Sequence, residues 1–294
     1  MPKYIEINCK IACNKVVSSF LPYHFDLNVY RGCFHKCVYC FAQYSHKYIN
    51  STDFFDEIYV KKNIVEVLEK QLSSKRRKRE VINLGGVTDN YQPIEKEYKL
   101  MPDILKLLIK YKNPVTVSTK SSLILRDFDL FAELSKVATV HIASTITTVN
   151  EKVRELIEPN ASTSKERFNV LKEFSKTNVL TGIHIMPIIP EITDSYHNLS
   201  ELFSCAKDCN VNYCITDILN LRGETKINFF KFIKEKLPHL YNKINSYYIG
   251  AYINSNYENK LNNILNKLEK KYPLKNKKCF LAEETLPKQL SLFK

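Results

Sequence analysis

The order of apolar and polar positions divides the chain into short β-type runs separated by longer stretches of helical period. Six segments read as strands: Phe25–Tyr30, Val81–Val87, Val115–Thr119, Thr139–Ile146, Leu180–Met186 and Tyr213–Leu219. Between them lie the amphipathic stretches Val60–Leu72, Tyr98–Tyr111, Asp127–Lys136, Lys165–Thr177 and Tyr196–Asp208. In the second of these, Leu100, Ile104, Leu107 and Leu108 recur at helical spacing. Strands alternating with helices build parallel sheets from βαβ units. The pattern therefore predicts an α/β fold, an open, partial (β/α)6 barrel of the TIM type, with its chemistry in the loops that follow the strands. After about Arg222 the alternation weakens into Lys-, Asn- and Tyr-rich helical sequence. Residues 1–222 read as the barrel and residues 223–294 as a C-terminal helical extension.

The first strand runs directly into Arg31-Gly-Cys-Phe-His-Lys-Cys-Val-Tyr-Cys-Phe41. Cys33, Cys37 and Cys40 are spaced C-x3-C-x2-C and supply three thiolates to an iron–sulfur cluster that normally takes four. The missing ligand leaves one iron with an open position, where a small molecule can bind and react. The competing reading is a structural zinc with His35 as fourth ligand. His35 is only two residues from Cys33, too cramped for the usual paired spacing of zinc sites.

Composition adds a partner class. The 44% hydrophobic content supports a proper core, and the first residues, Met-Pro-Lys-Tyr-Ile-Glu-Ile, hold no apolar run of the signal-peptide kind. No stretch is apolar for long enough to span a bilayer. The expectation is a cytoplasmic protein whose nine cysteines stay mostly reduced. The net charge of +13 fits a polyanionic partner such as DNA or RNA. Part of that excess is Lys on solvated helix faces in a chain rich in Lys, Asn, Ile and Tyr. The run Ser74-Lys-Arg-Arg-Lys-Arg79 is harder to dismiss, although a solvated loop accounts for it too.

The cysteine motif, with Tyr39 just before its third cysteine, resembles the signature of the radical S-adenosylmethionine (SAM) superfamily. The order of further landmarks resembles one branch of it, the spore photoproduct lyase-like "DNA repair photolyase" group. Those landmarks are Asn28-Val-Tyr-Arg-Gly-Cys33, Gly86-Val-Thr-Asp-Asn-Tyr-Gln-Pro93, Thr119-Lys-Ser121, Ser144-Thr-Ile146, Glu158-Pro159, Arg167 and Met186-Pro-Ile-Ile-Pro190. The resemblance implies a [4Fe–4S] cluster on Cys33, Cys37 and Cys40, with SAM on its open iron and an electron donor such as flavodoxin or ferredoxin. It further implies cleavage of SAM to a 5′-deoxyadenosyl radical and a lyase-like action on DNA, such as lesion reversal. Thr88, Lys120 and Ser144 fall at or after strand ends, where hydroxyls and an ammonium can hold the carboxylate and ribose of SAM. By the same resemblance Tyr39 contacts the adenine, Gly85 and Gly86 lie near the methionyl amino group, and Arg167 belongs to the SAM site. The founding lyase has a hydrogen-donor cysteine where this chain has Val87, so Tyr91 or one of the spare cysteines is the candidate donor.

Other features carry further expectations. Cys205 and Cys209 lie at i, i+4 and, with Cys214, either hold an auxiliary cluster or pack as small hydrophobes. The terminal Gln289-Leu290-Ser291-Leu292-Phe293 looks like the peptide with which bacterial polymerases and repair proteins dock onto the DNA sliding clamp. A radical SAM enzyme acting on RNA, a peptide or a small molecule remains an alternative. So does a non-catalytic iron–sulfur protein that binds nucleic acid or senses redox state.

Overall fold

In the computed structural model the six strands form one parallel sheet in chain order: Phe25–Leu27, Ile82–Leu84, Val115–Thr119, Val140–Thr145, Leu180–Ile188 and Tyr213–Ile218. The structure describes residues 2–18, 21, 23–49, 51, 53–75 and 77–274. Each barrel strand pairs with its neighbours in sequence, which is how successive βαβ units build a partial barrel. Cys13–Lys15 adds an antiparallel strand outside the first. The helices Ile64–Leu72, Leu100–Lys110, Phe128–Leu134, Ser164–Phe174 and Tyr196–Asp208 connect the barrel strands. No described helix is long and apolar enough to cross a membrane.

Two element readings change. The helix expected from Val60 begins at Ile64, because Glu57–Lys61 is a strand paired with Lys3–Ile7 and with Tyr30–Arg31 in a second, three-stranded sheet. Its Ile58 and Val60 alternate into the core, a period of two separated from the helical period that follows only by Lys61-Lys62-Asn63. The second barrel strand ends at Leu84 rather than Val87. Gly85 takes a φ of +93°, a left-handed conformation that stops the strand and starts the loop.

The sheet is two-faced. Leu27, Ile82, Leu84, Val115, Val117, Val140 and Ile142 bury against the first three connecting helices in the main core. Fully burying each such side chain is worth about 1.5–3 kcal/mol. The other face, which lines the barrel, is polar. There Ser118 Oγ lies 3.3 Å from Thr145 Oγ1 and 3.2 Å from His184 Nδ1, and Asn83 Nδ2 donates to Asp26 at 2.9 Å.

The C-terminal region is packed onto the barrel. Phe229, Phe230 and Ile233 of the helix Gly223–Lys236 share a core with Cys37, Tyr39 and Ile157. Leu261, Leu265 and Leu268 of the helix Ser255–Lys271 pack with Leu199, Leu202 and Phe203. Residues 223–274 are mainly helical, with a two-stranded turn at Tyr248–Ile249 and Tyr252–Ile253. The clamp-like segment 289–293 lies outside the described residues.

Candidate active site

The cysteine loop follows the first barrel strand and is clasped by the segment 86–93 that follows the second. Asn28 Oδ1 accepts from Val87 N at 3.0 Å, and Asn90 Oδ1 accepts from Val29 N at 3.0 Å. Asn90 Nδ2 donates to Leu27 O at 3.1 Å. Gln92 accepts from Phe34 N at 2.9 Å and donates to Gly32 O at 3.2 Å. Each side chain meets backbone groups that an irregular loop leaves unpaired. Thr88 Oγ1 joins the same clasp, donating to Gly32 O at 2.6 Å. Gly86 is small for a nearby reason, since a Cβ there would come 2.4 Å from the Asp26 carboxylate.

Asp89 is the hub. Its buried carboxylate accepts from Thr119 Oγ1 at 2.9 Å, Lys120 N at 2.8 Å and Tyr91 N at 2.9 Å. It also lies 2.9 Å from His35 Nε2, whose Nδ1 is 3.2 Å from Asn160 O. Burial alone would raise the Asp89 pKa. The hydrogen bond and charge contact with His35, together with the Lys120 and Tyr91 amides, outweigh it and hold the pKa at about 2. One carboxylate thus ties the cysteine loop to the loop that carries Lys120. His35 lies between two cysteines and serves here as an anchor.

Above this hub lie Tyr39, Lys120, Glu158 and Arg167. Arg167 is fully buried; its Nη1 lies 2.5 Å from Glu158 Oε2 and donates to Thr145 O at 2.8 Å, and its Nε donates to Ser162 O at 2.8 Å. Tyr39 donates its hydroxyl to Glu158. The Lys120 ammonium is 5.6 Å from the centre of the Tyr39 ring and has no ion-pair partner within 4 Å among the described residues. Burial would lower the Lys120 pKa, but the charges of Cys37 and Glu158 raise it overall, so the ammonium persists. His184 is held neutral, its pKa lowered to about 4 by burial and by Lys120.

Burial pushes each of the three cysteine thiols upward, and the charge of Cys40 adds to it at Cys33 and Cys37; Cys33 reaches about 12. Lys120 pulls Cys37 and Cys40 back down. Thiols of this kind ionise when a cationic centre supplies the countercharge. Among the described residues no three His, Cys, Asp or Glu side chains converge on a point that one metal ion would occupy. A cluster asks for another arrangement, with each thiolate on a different iron. The site also has open polar atoms suited to a ligand such as SAM: His184 Nε2 and Arg167 Nη2 are buried without hydrogen-bond partners. The residues therefore fit both groups.

Not every expected residue faces the mouth. Strand alternation puts Ser144 with Val140 and Ile142, opposite Thr145. Tyr91 is fully buried in the main core and its hydroxyl donates to Asp127 at 3.1 Å. That phenol is enclosed in the core rather than exposed at the mouth. Val87 packs beside Cys33, Cys40 and Phe54. Cys209 and Cys214 lie in the apolar core of the fifth connecting helix, with Cys209 Sγ donating to Phe168 O at 3.4 Å, which fits their reading as small hydrophobes. His184 and Asp89 were not singled out from the sequence; the only signal for Asp89 was its place in the 86–93 landmark.

A family model described as the radical SAM superfamily matches residues 27–203. An uncharacterized protein of Mycobacterium bovis is 31% identical over 274 residues, spanning 92% of this chain and 81% of that relative. An uncharacterized protein of Methanocaldococcus jannaschii is 28% identical over 221 residues, spanning 75% of this chain and 79% of the relative. In fold the chain is similar to a spore photoproduct lyase mutant crystallised with AdoMet and a dinucleoside spore photoproduct. That match has a TM-score of 0.66 at 13% identity and covers 93% of this chain and 82% of that one. It is also similar to Streptococcus suis SuiB bound to precursor peptide SuiA, with a TM-score of 0.53 at 15% identity, covering 87% and 49% respectively. The matched span contains Cys33, Cys37, Cys40, Lys120 and Arg167, and the chain belongs to the radical SAM superfamily, whose members use a [4Fe–4S] cluster and S-adenosylmethionine.

Proposed function

We propose that Cys33, Cys37 and Cys40 hold the cluster, that Lys120 pairs with the SAM carboxylate, and that the enzyme acts on DNA in a lyase-like reaction such as lesion reversal. The observation that carries the cofactor assignment is the Lys120 ammonium, kept charged by Cys37 and Glu158 with no carboxylate within 4 Å among the described residues. When bound, the cluster supplies the electron for reductive cleavage of the SAM sulfur–carbon bond. The chain's own residues bind and orient. Tyr39 is fixed by Glu158 and presents its ring beside Lys120. Gly85, Gly86 and Thr88 shape the loop against the cysteines. Arg167 Nη2 and His184 Nε2 offer hydrogen bonds to the ribose and adenine, and buried Ser144 backs the same strand ends. The full burial of Tyr91 and its bond to Asp127 speak against it as the hydrogen donor.

The DNA reading draws on the net charge and on the likeness in fold to a lyase crystallised with a dinucleoside photoproduct. Base chemistry in duplex DNA requires the target to leave the stack. Docking of Leu292 and Phe293 on a sliding clamp, and reduction by a flavodoxin- or ferredoxin-type donor, complete the proposal. The test uses anaerobically reconstituted protein, with 5′-deoxyadenosine measured with and without lesion-bearing DNA in deuterated solvent. We expect DNA-dependent turnover with label in the DNA, and none from Cys37→Ala. Turnover by Cys37→Ala would sink the cluster assignment. Stimulation by RNA or peptide but not DNA would overturn the substrate.

A further inference from the structure

The turn that follows the third cysteine has a face the site chemistry does not use. Phe41–Ile49 is a 3-10 helix, in which side chains three apart lie one above the other. Phe41, Tyr44 and Lys47 therefore form one exposed stripe, with Tyr48 beside it. Phe41 is 62% exposed, Tyr44 46% and Tyr48 75%, and the Tyr44 and Tyr48 rings meet edge to face at 6.4 Å. The opposite side of the turn is anchored. Ala42, Gln43, Ser45 and His46 are buried, His46 Nε2 lies 3.0 Å from Glu57 O, and Asn228 donates to Gln43 at 2.6 Å. The exposed rings are thus held on a fixed support.

Three large rings left in water beside a candidate active site form an apolar patch without a partner in the fold. Lys47 gives the stripe a positive charge. Its 3.4 Å pair with Glu224 is exposed on both sides and weakly held. We propose that Phe41, Tyr44 and Tyr48 form a stacking platform for unpaired bases of single-stranded or locally opened DNA, with Lys47 meeting a backbone phosphate. Every base has a π face, so such a platform tolerates any sequence. The inference rests on the DNA reading above and adds where the strand lies, across the turn leading out from Cys40.

The experiment measures anisotropy of a labelled single-stranded oligonucleotide with the full chain, comparing Tyr44→Leu, Tyr48→Leu and the two Tyr→Phe variants. Base–aromatic stacking predicts roughly tenfold weaker binding for each Leu variant and near wild-type binding for each Phe variant. Tyr48 is the most exposed, so Tyr48→Leu alone carries the test if Tyr44→Leu misfolds. Equal binding by all variants overturns the platform and leaves the DNA reading standing. If the wild-type chain binds lesion-bearing duplex but no single strand, the platform also fails. If it binds neither, the DNA reading falls with it. Unchanged oligonucleotide binding with slowed reduction by an acidic electron-carrier protein would assign the face to that carrier and overturn the proposal.

Discussion

Replacing Asp89 by Asn keeps its shape and removes its charge. The carboxylate takes donors on both oxygens: Tyr91 N and Thr119 Oγ1 on one, Lys120 N and His35 Nε2 on the other. In either orientation the Asn NH2 opposes a backbone N–H. A lost hydrogen bond to a charged group is worth about 1.5–3 kcal/mol, and a buried donor left unpaired costs about 1–3 kcal/mol. The pKa gives an independent figure. Its fall from 3.8 to about 2 corresponds to roughly 2–3 kcal/mol favouring the folded carboxylate. A depressed folded pKa contributes fully above the ordinary value and is lost as pH falls through the lower one. The gap between wild type and Asp89→Asn is therefore expected at about 2–4 kcal/mol near neutral pH, closing between pH 4 and 2. Urea unfolding of the apo-protein at several pH values measures it, with iron content after reconstitution as second readout. A change below about 0.5 kcal/mol, the range of ordinary surface substitutions, would refute the hub.

Lys120→Ala is expected to weaken SAM binding while iron content stays near normal, since the proposal pairs its ammonium with the SAM carboxylate rather than with the metal; unchanged affinity in equilibrium binding would return it to an ordinary loop role. Gly182→Ala places a Cβ 2.1 Å from the Tyr213 ring, so a loss of about 1–3 kcal/mol is expected in denaturant unfolding. No loss there would mean the ring moves freely. Leu292→Ala with Phe293→Ala should reduce clamp binding by roughly tenfold or more, because two apolar anchors go and only part of their burial energy shows as affinity. SAM cleavage should persist in that double variant, and a surface-binding assay with the purified clamp decides it.

Much of the fold was legible because a parallel sheet covered by helices writes its period plainly. The fifth connecting helix, Tyr196–Asp208, lies where its pattern put it, and the six strands differ from expectation only at their ends. The strand Glu57–Lys61 was obscured because its Val60 is separated from the next helix only by Lys61-Lys62-Asn63. The cysteines were legible from spacing alone. The roles of Asp89, Glu158 and His184 were not, because they depend on which strand ends meet across the mouth. Ser144 shows the same limit in reverse. Its neighbour Thr145, one residue on, is the one that faces the polar lining.

In the sheet the strand Tyr213–Ile218 and the strand Cys13–Lys15 occupy opposite ends of the order and do not pair with each other. A full eight-stranded barrel encloses its lining and admits ligands only through the rim. Here the ring is left unjoined along one seam. Asp217 stands exposed on the Tyr213–Ile218 side, a charge of the kind that discourages another strand from adding there. Side chains bridge the two sides instead: Thr225 Oγ1, on the helix that follows the last strand, donates to Cys40 O at 3.1 Å, and Asn228 donates to Gln43 at 2.6 Å. The cysteine loop is thereby part of what completes the ring, so the segment that carries the chemistry also does the work of the missing strands.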